Sequence, residues 1–242
     1  MDPTPGPLPL EALLERIETE LLPGLRIVSP SPHDPVVVES LPEPWQNLGS
    51  GNYAAVVLHP QFPELVVKIY APGRAGLEEE AEVYRRIGQH RAYSECHHVG
   101  ESYLVLRRLR GHTLWDCFRH GIPIPPQVIR DVDAALAYAS GRGLNGHDVH
   151  GRNVMLQEGR GLVVDISDFL NPEPCSAWRD LRWAYLVVYR PLLGPLRLRW
   201  PDWALDLVRW GYRRVRWLRS RLRGLQSWWQ RVREALGWAQ QS

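Results

Sequence analysis

Lysine is almost missing from this chain. Of 29 basic side chains one is a lysine, Lys68, and all the others are arginine. Arginine fills every other cationic role, so the position that keeps lysine calls for something a guanidinium does not supply. An ammonium is a compact point charge that reaches phosphate oxygens in a tight pocket, where the broad planar fork of arginine is no simple replacement. Long hydrophobic runs are missing too. No stretch of about 18 apolar residues occurs, which excludes a membrane-spanning helix. The three cysteines, Cys96, Cys117 and Cys175, are irregularly spaced and form neither a disulfide framework nor a C-x-x-C pair. The N-terminus is proline-rich and then acidic, unlike a secretory signal. The expected setting is therefore reducing and cytoplasmic.

What is present suffices for one sizeable core or two small lobes: 242 residues, 44% of them apolar. The net charge of +2 is unevenly spread. Residues 1–195 carry 18 basic and 24 acidic side chains, or −6, whereas 196–242 carry 11 arginines and 3 acids, or +8. The tail is a separate electrostatic object. Four segments are expected: an N-terminal helix with a proline-rich arm (1–44), a small β-rich part (45–110), a mainly helical part (111–195) and the basic tail (196–242).

Leu10, Leu13, Leu14, Ile17 and Leu21 recur at helical spacing until Pro23-Gly24 stops them. A glycine turn then separates two strand-like runs at Leu48-Gly49-Ser50-Gly51-Asn52-Tyr53-Ala54-Ala55-Val56. Glycines let backbone N–H groups approach phosphate closely, although an ordinary hairpin turn has the same look. The next strand, Leu65–Tyr70, contains Lys68. Ala75–Gly88 reads as a helix whose first half is crowded with Glu78, Glu79, Glu80 and Glu82. Cys96-His97-His98 has no second half to complete a metal site and reads as ordinary strand or turn. Tyr103–Leu106 alternates into a strand ending at Arg107–Leu109. Thr113–His120 and Pro126–Gly141 read as helices, the second with Val128, Ile129, Val132, Ala135, Leu136 and Ala139 on one face.

Two acidic motifs follow. Asp148-Val149-His150-Gly151-Arg152-Asn153 is D-x-H-x-x-N, and twelve residues past Asn153 the apolar strand Leu162–Val164 ends in Asp165. Taken in order, the glycine loop, lone lysine, acidic helix, acid-to-amide loop and strand-terminal acid resemble the protein kinases over about residues 45–190. Those enzymes write the same elements as G-x-G-x-x-G-x-V, V-A-I-K, H-R-D-L-x-x-x-N and D-F-G. Gly146-His147 replaces H-R, Ala54 replaces the third glycine, and no A-P-E follows. The compact, atypical bacterial types, RIO-like or lipopolysaccharide-core kinases, are the nearer comparison.

The resemblance implies an α+β, bilobal fold with a small antiparallel β lobe and a mainly helical lobe. It implies ATP and Mg²⁺ as cofactors and transfer of the γ-phosphate to a hydroxyl. In that scheme Asp148 handles the acceptor proton, and Asn153 and Asp165 hold the metal. Lys68 grips phosphates and pairs with a glutamate, chosen here as Glu80 over Glu79 or Glu82. Gly49, Ser50, Gly51, Ala54 and Val56 cover the nucleotide, and backbone near Arg107 and Leu109 meets adenine. The expected acceptor is a protein serine or threonine; the alternatives are a sugar on a lipid-linked glycan and a nucleotide-binding pseudokinase scaffold. Asp168 reads as a helix N-cap or a third acid near the metal, with the cap favoured. Asp180 reads equally as a buttress of the catalytic loop or a helix-dipole charge.

In the tail, Val208, Tyr212, Val215, Leu218, Leu222, Leu225, Trp229, Val232 and Leu236 recur at helical spacing. Trp203, Trp210 and Trp217 fall seven apart beside them. A long basic amphipathic helix is expected, either packed on the helical lobe or lying on anionic membrane through 203–238 at its inner face. The acidic body speaks against a broad nucleic-acid footprint.

Overall fold

The structure is a computed structural model that describes residues 10–31, 34–194, 198–208, 210–211 and 214. It is α+β, with antiparallel sheets and helices. Residues 1–9 of the expected N-terminal segment and most of the expected tail helix lie outside the described residues; within them, 202–208 is helical.

A helix opens the described chain as α1 (Leu10–Arg16), continues through a wide turn over Ile17–Leu21, and ends in α2 (Leu22–Gly24). A two-stranded ribbon follows, β1 (Arg26–Val28) against β2 (Val37–Ser40). The main sheet holds β3 (Gln46–Ser50), β4 (Ala54–Leu58), β5 (Leu65–Tyr70), β6 (Cys96–Val99) and β7 (Tyr103–Arg107), in the order β3-β4-β5-β7-β6. Its central strands are rich in valine and isoleucine and buried on both faces, the pattern of a sheet covered on two sides. Successive side chains of a strand point to opposite faces. Along β5, Val67 and Ile69 meet Leu13, Ile17 and Leu21 of the N-terminal helix. Val66 and Tyr70 join the larger core on the other face. Lys68 shares that second face.

Helix α3 (Leu77–Ile87) follows β5. Its buried residues are Glu80, Val83, Tyr84 and Ile87, spaced i, i+3, i+4, i+7. A carboxylate therefore occupies the apolar stripe. The acids of its first turn and the arginines of its last suit the helix dipole.

The rest of the core is built by α4 (Leu114–His120), α5 (Pro126–Ser140), α6 (Ala177–Ala184) and a second sheet, β10-β9-β8. That sheet comprises β8 (His112–Thr113), β9 (Val154–Gln157) and β10 (Arg160–Val163). A capping box between Thr113 and Asp116 starts α4. The β9–β10 hairpin turns at Glu158-Gly159, both at positive φ, as a two-residue turn requires. Strand β10 lies so close to α5 that a Cβ on Gly161 would stand 2.5 Å from the Val128 carbonyl oxygen. The buried Asp131 carboxylate joins the same two elements. It accepts from Arg160 Nε and Nη2, each at 2.8 Å, from the Gly161 N–H at 3.0 Å and from Gln127 Nε2 at 2.7 Å.

Beyond α6, a wide-turn helix spans Tyr185–Leu193. The start of the tail touches α4: the Trp200 N–H donates to the Phe118 carbonyl, and Asp202 pairs with Arg119 Nε at 2.7 Å. Leu205 is buried, and among the described residues no helix is long and apolar enough to cross a membrane.

Candidate active site

Lys68 stands mid-strand, opposite Val56 of β4 and Leu104 of β7. Its ammonium lies 2.7 Å from Glu80 Oε2 and 3.0 Å from Asp165 Oδ1. Three elements separated by up to 97 positions thus meet on one nitrogen. Of the acids on α3, Glu80 alone is buried. Glu82 instead pairs with Arg85 and Arg86 on the helix surface.

Tyr70 is a member of this cluster that the motifs did not single out. Its hydroxyl donates to the same Glu80 oxygen that faces Lys68. The signal was available: Tyr70 is two residues past Lys68 and so shares its strand face. Burial favours the neutral form of Lys68, but Glu80 and Asp165 outweigh it and raise its pKa above the usual lysine value. The Asp165 carboxylate is half exposed; the protein around it still costs it solvation, but Lys68 and the Ser167 hydroxyl outweigh this and hold its carboxyl below the ordinary range. Both groups therefore stay charged at neutral pH.

The β9–β10 hairpin explains how Asn153 and Asp165 come together. Asn153 immediately precedes β9, Val164 immediately follows β10, and Val154 faces Val163 in register. The Val164 N–H then closes on the Asn153 carbonyl at 3.0 Å. Asn153 Nδ2 donates back to the Asp148 carbonyl at 3.2 Å, tying the loop's acid to its amide. His150 Nε2 lies 3.8 Å from Asp148 Oδ2. The loop is pinned from outside as well. Asn145 Nδ2 donates to the carbonyls of Asn171 and Glu173, and the Asp148 N–H points at Cys175 Sγ, 3.4 Å away.

Among the described residues only three non-glycine residues have positive φ: Asp148 at 55°, Glu158 at 49° and Asp165 at 53°. Glu158 belongs to the hairpin turn. The other two are the candidate carboxylates, held in a sparsely populated conformation of the kind that collects at functional sites.

The site has oxygen donors suited to a hard cation. Asn153 uses its Nδ2 on Asp148, which leaves its amide oxygen. Lys68 and Ser167 both engage Asp165 Oδ1, so Oδ2 of this half-exposed carboxylate has no described hydrogen-bond partner. No group of three His, Cys, Asp or Glu side chains among the described residues is arranged as a metal cage. Two protein oxygens plus phosphate oxygens is the usual way Mg²⁺ is held beside a nucleotide.

Other expected residues fall into place unevenly. Val56 lies beside Lys68 in register. In the glycine turn, the Gly49 N–H donates to Asn47 Oδ1 and the Gly51 N–H to the Ala54 carbonyl, and Ser50 pairs with Ala55 in the sheet. These N–H groups are used internally. Those of Asn52 and Tyr53, at the exposed tip, donate to no described residue. The Arg107 N–H is held by the Glu95 carbonyl and its C=O accepts from Ser94 Oγ, whereas the Leu109 backbone has no described partner. Asp168 is not a helix cap. It lies inside the short turn Ser167–Leu170, whose cap position is Ile166. Burial, and after it Asp148, push its carboxyl above the ordinary value. Asp180 accepts from Ser176 in its own first turn.

The chain is similar to a Bacillus subtilis (strain 168) protein named "Putative serine/threonine-protein kinase YrzF". The two are 29% identical over 153 residues, which span 62% of this chain and 70% of that protein. No family model matches. The similarity points to a kinase-like superfamily and agrees with the antiparallel α+β architecture.

Proposed function

We propose that this chain is an ATP-dependent phosphotransferase with a bilobal, compact kinase-like fold, and that its acceptor is a protein serine or threonine hydroxyl. The observation that carries the reading is the Lys68 ammonium held between Glu80 and Asp165, with Asp148 and Asn153 on a loop tied to the same hairpin. Phosphoryl transfer needs positioning and charge stabilisation more than covalent work by the protein. Glu80 aims the Lys68 ammonium, which binds the non-transferred phosphates. Asn153 and Asp165 hold Mg²⁺, which supplies charge neutralisation to the phosphates. The exposed tip of the glycine turn covers the nucleotide, and the Leu109 backbone receives adenine. Asp148 orients the acceptor hydroxyl and takes its proton as the oxygen bonds to the γ-phosphorus and ADP departs.

A second acceptor has one observation in its favour. Trp203, Leu207 and Trp210, spaced i, i+4, i+7, are 71%, 59% and 58% exposed. Arg214 lies over the Trp210 ring. Such a stripe suits an anionic membrane surface, where a sugar hydroxyl of a lipid-linked glycan would be met.

γ-Labelled ATP given to a lysate that is then separated into protein and lipid distinguishes these readings. Label in protein supports the first, and label in glycolipid moves the acceptor. No label, with intact Mg-ATP binding, makes the chain a nucleotide-binding scaffold. Asp148→Ala is expected to abolish transfer while nearly preserving ATP binding. Full residual activity would remove Asp148 from its role.

A further inference from the structure

The β1–β2 ribbon belongs to none of the elements that carry the chemistry, yet it touches the glycine turn directly. The Val36 N–H donates to the Gly51 carbonyl at 2.8 Å. The Val36 side chain is buried against Ala55 and Ala71, with Ile27 and Val38 packed around it. Ala54 and Val56 belong to the core on the other face of β4, the face of Lys68. Val36 therefore grips the glycine turn from the side of the sheet opposite the lysine.

Peptide geometry turns this grip into a statement about the turn's donors. The Gly51 C=O and the Asn52 N–H belong to one planar trans peptide, in which they point in opposite directions. Holding the carbonyl toward Val36 turns the Asn52 N–H away from Val36. That N–H is one of the two at the tip without a described partner. On the other flank of the tip, the Ala71 N–H holds the Tyr53 carbonyl at 3.0 Å.

The ribbon is itself anchored at further points. Ser40 Oγ donates to the Gly24 carbonyl at 3.1 Å, Arg74 Nη2 donates to the Ser31 carbonyl, and the preceding helix is buried against the back of the sheet. We propose that this N-terminal ribbon is a strap that positions the glycine turn, with the Val36 N–H orienting the Asn52 amide toward the phosphates of a bound nucleotide. Val36 is thus a positioning residue, and nucleotide affinity depends on a segment outside the motifs. The proposal rests on the phosphotransferase reading above.

The test measures binding of a magnesium complex of a non-hydrolysable ATP analogue by calorimetry, and the KM for ATP against kcat, in the full chain. Val36→Pro removes the donor and keeps apolar bulk; it is expected to weaken binding about fivefold and raise KM alike, with kcat and melting temperature little changed. Val36→Thr keeps the donor and the shape and should bind as the wild type does. Wild-type affinity in Val36→Pro, or an equal loss in Val36→Thr, overturns the strap. If Val36→Pro no longer melts cooperatively, Arg74→Ala, which removes the Arg74 bond to the Ser31 carbonyl, replaces it. An approximately twofold loss then supports the strap and no loss overturns it. Failure of the wild-type chain itself to bind the analogue overturns the phosphotransferase reading, and the positioning role with it.

Discussion

One oxygen of Glu80 receives both the Lys68 ammonium and the Tyr70 hydroxyl, in a position with no exposure to water. A buried carboxylate is tolerated only when it is paired and hydrogen-bonded. Tyr70 is therefore expected to matter even though it lies outside the motifs. Tyr70→Phe keeps the ring and deletes one charge-assisted bond, so it should lower unfolding free energy by about 2 kcal/mol in denaturant titration. Lys68→Arg keeps the charge but puts a wider group in a strand position only 12% exposed. Its kcat should fall on the order of a hundredfold, because small displacements of positioned groups cost that much. An unchanged kcat in a steady-state assay would make the lone lysine incidental.

Among the elements, the contact between α5 and β10 packs the helix that leads into the acid-to-amide loop against the strand that leads into Asp165. Gly161 lets the backbones touch, and Asp131 bonds across them. Burial alone would raise the Asp131 pKa, but the bonds from Arg160, Gly161 and Gln127 hold its carboxyl well below its ordinary 3.8. A group whose folded pKa is depressed contributes stability that is full above its unfolded value and lost as pH falls through the folded one. The contribution is therefore complete above about pH 4 and vanishes in stronger acid. Asp131→Asn should cost about 2 kcal/mol at pH 7 and flatten the acid limb of the stability curve. Denaturant titrations at pH 7 and below pH 4 check both; an acid limb as steep as in the wild type would assign it to other carboxylates.

For the whole molecule, the covering of the sheet decides what is rigid. The N-terminal helix closes one face through Leu13, Ile17 and Leu21, and the large core closes the other. Among the described residues, the start of the tail meets the rest of the chain through Leu205, the Arg119–Asp202 pair and the Trp200 N–H. Removing 203–242 takes away the buried Leu205 and should lower the melting temperature by a few degrees, while nucleotide affinity stays within about twofold. Sedimentation with anionic vesicles should fall in the same variant, and equal binding by the truncated chain would clear the tail of that role.

Much of the candidate site was legible in the chain because its residues come in short runs. A lysine in an apolar strand, the D-x-H-x-x-N loop and an acid at a strand end need only local spacing to be seen. The apolar stripe Val83, Tyr84, Ile87 also carried the register that puts Glu80, rather than Glu79 or Glu82, on the buried face of α3. The Asp131 network, the Tyr70 bond and the Val36 grip were not legible in the motifs. They join positions 29 apart for Asp131 and Arg160, 15 for Val36 and Gly51 and 10 for Tyr70 and Glu80, and a single side chain does not announce such a partner. Asp168 is not the cap expected of it, because the turn Ser167–Leu170 places Ile166, two residues before Asp168, in the cap position. By itself, the sequence determined which groups are available and on which face of a strand or helix each one lies, since that follows from periods of 2 and 3.6 residues. Only the tertiary structure decided which of those faces meet, because that depends on how sheet, hairpin and helices bury their apolar surfaces against one another.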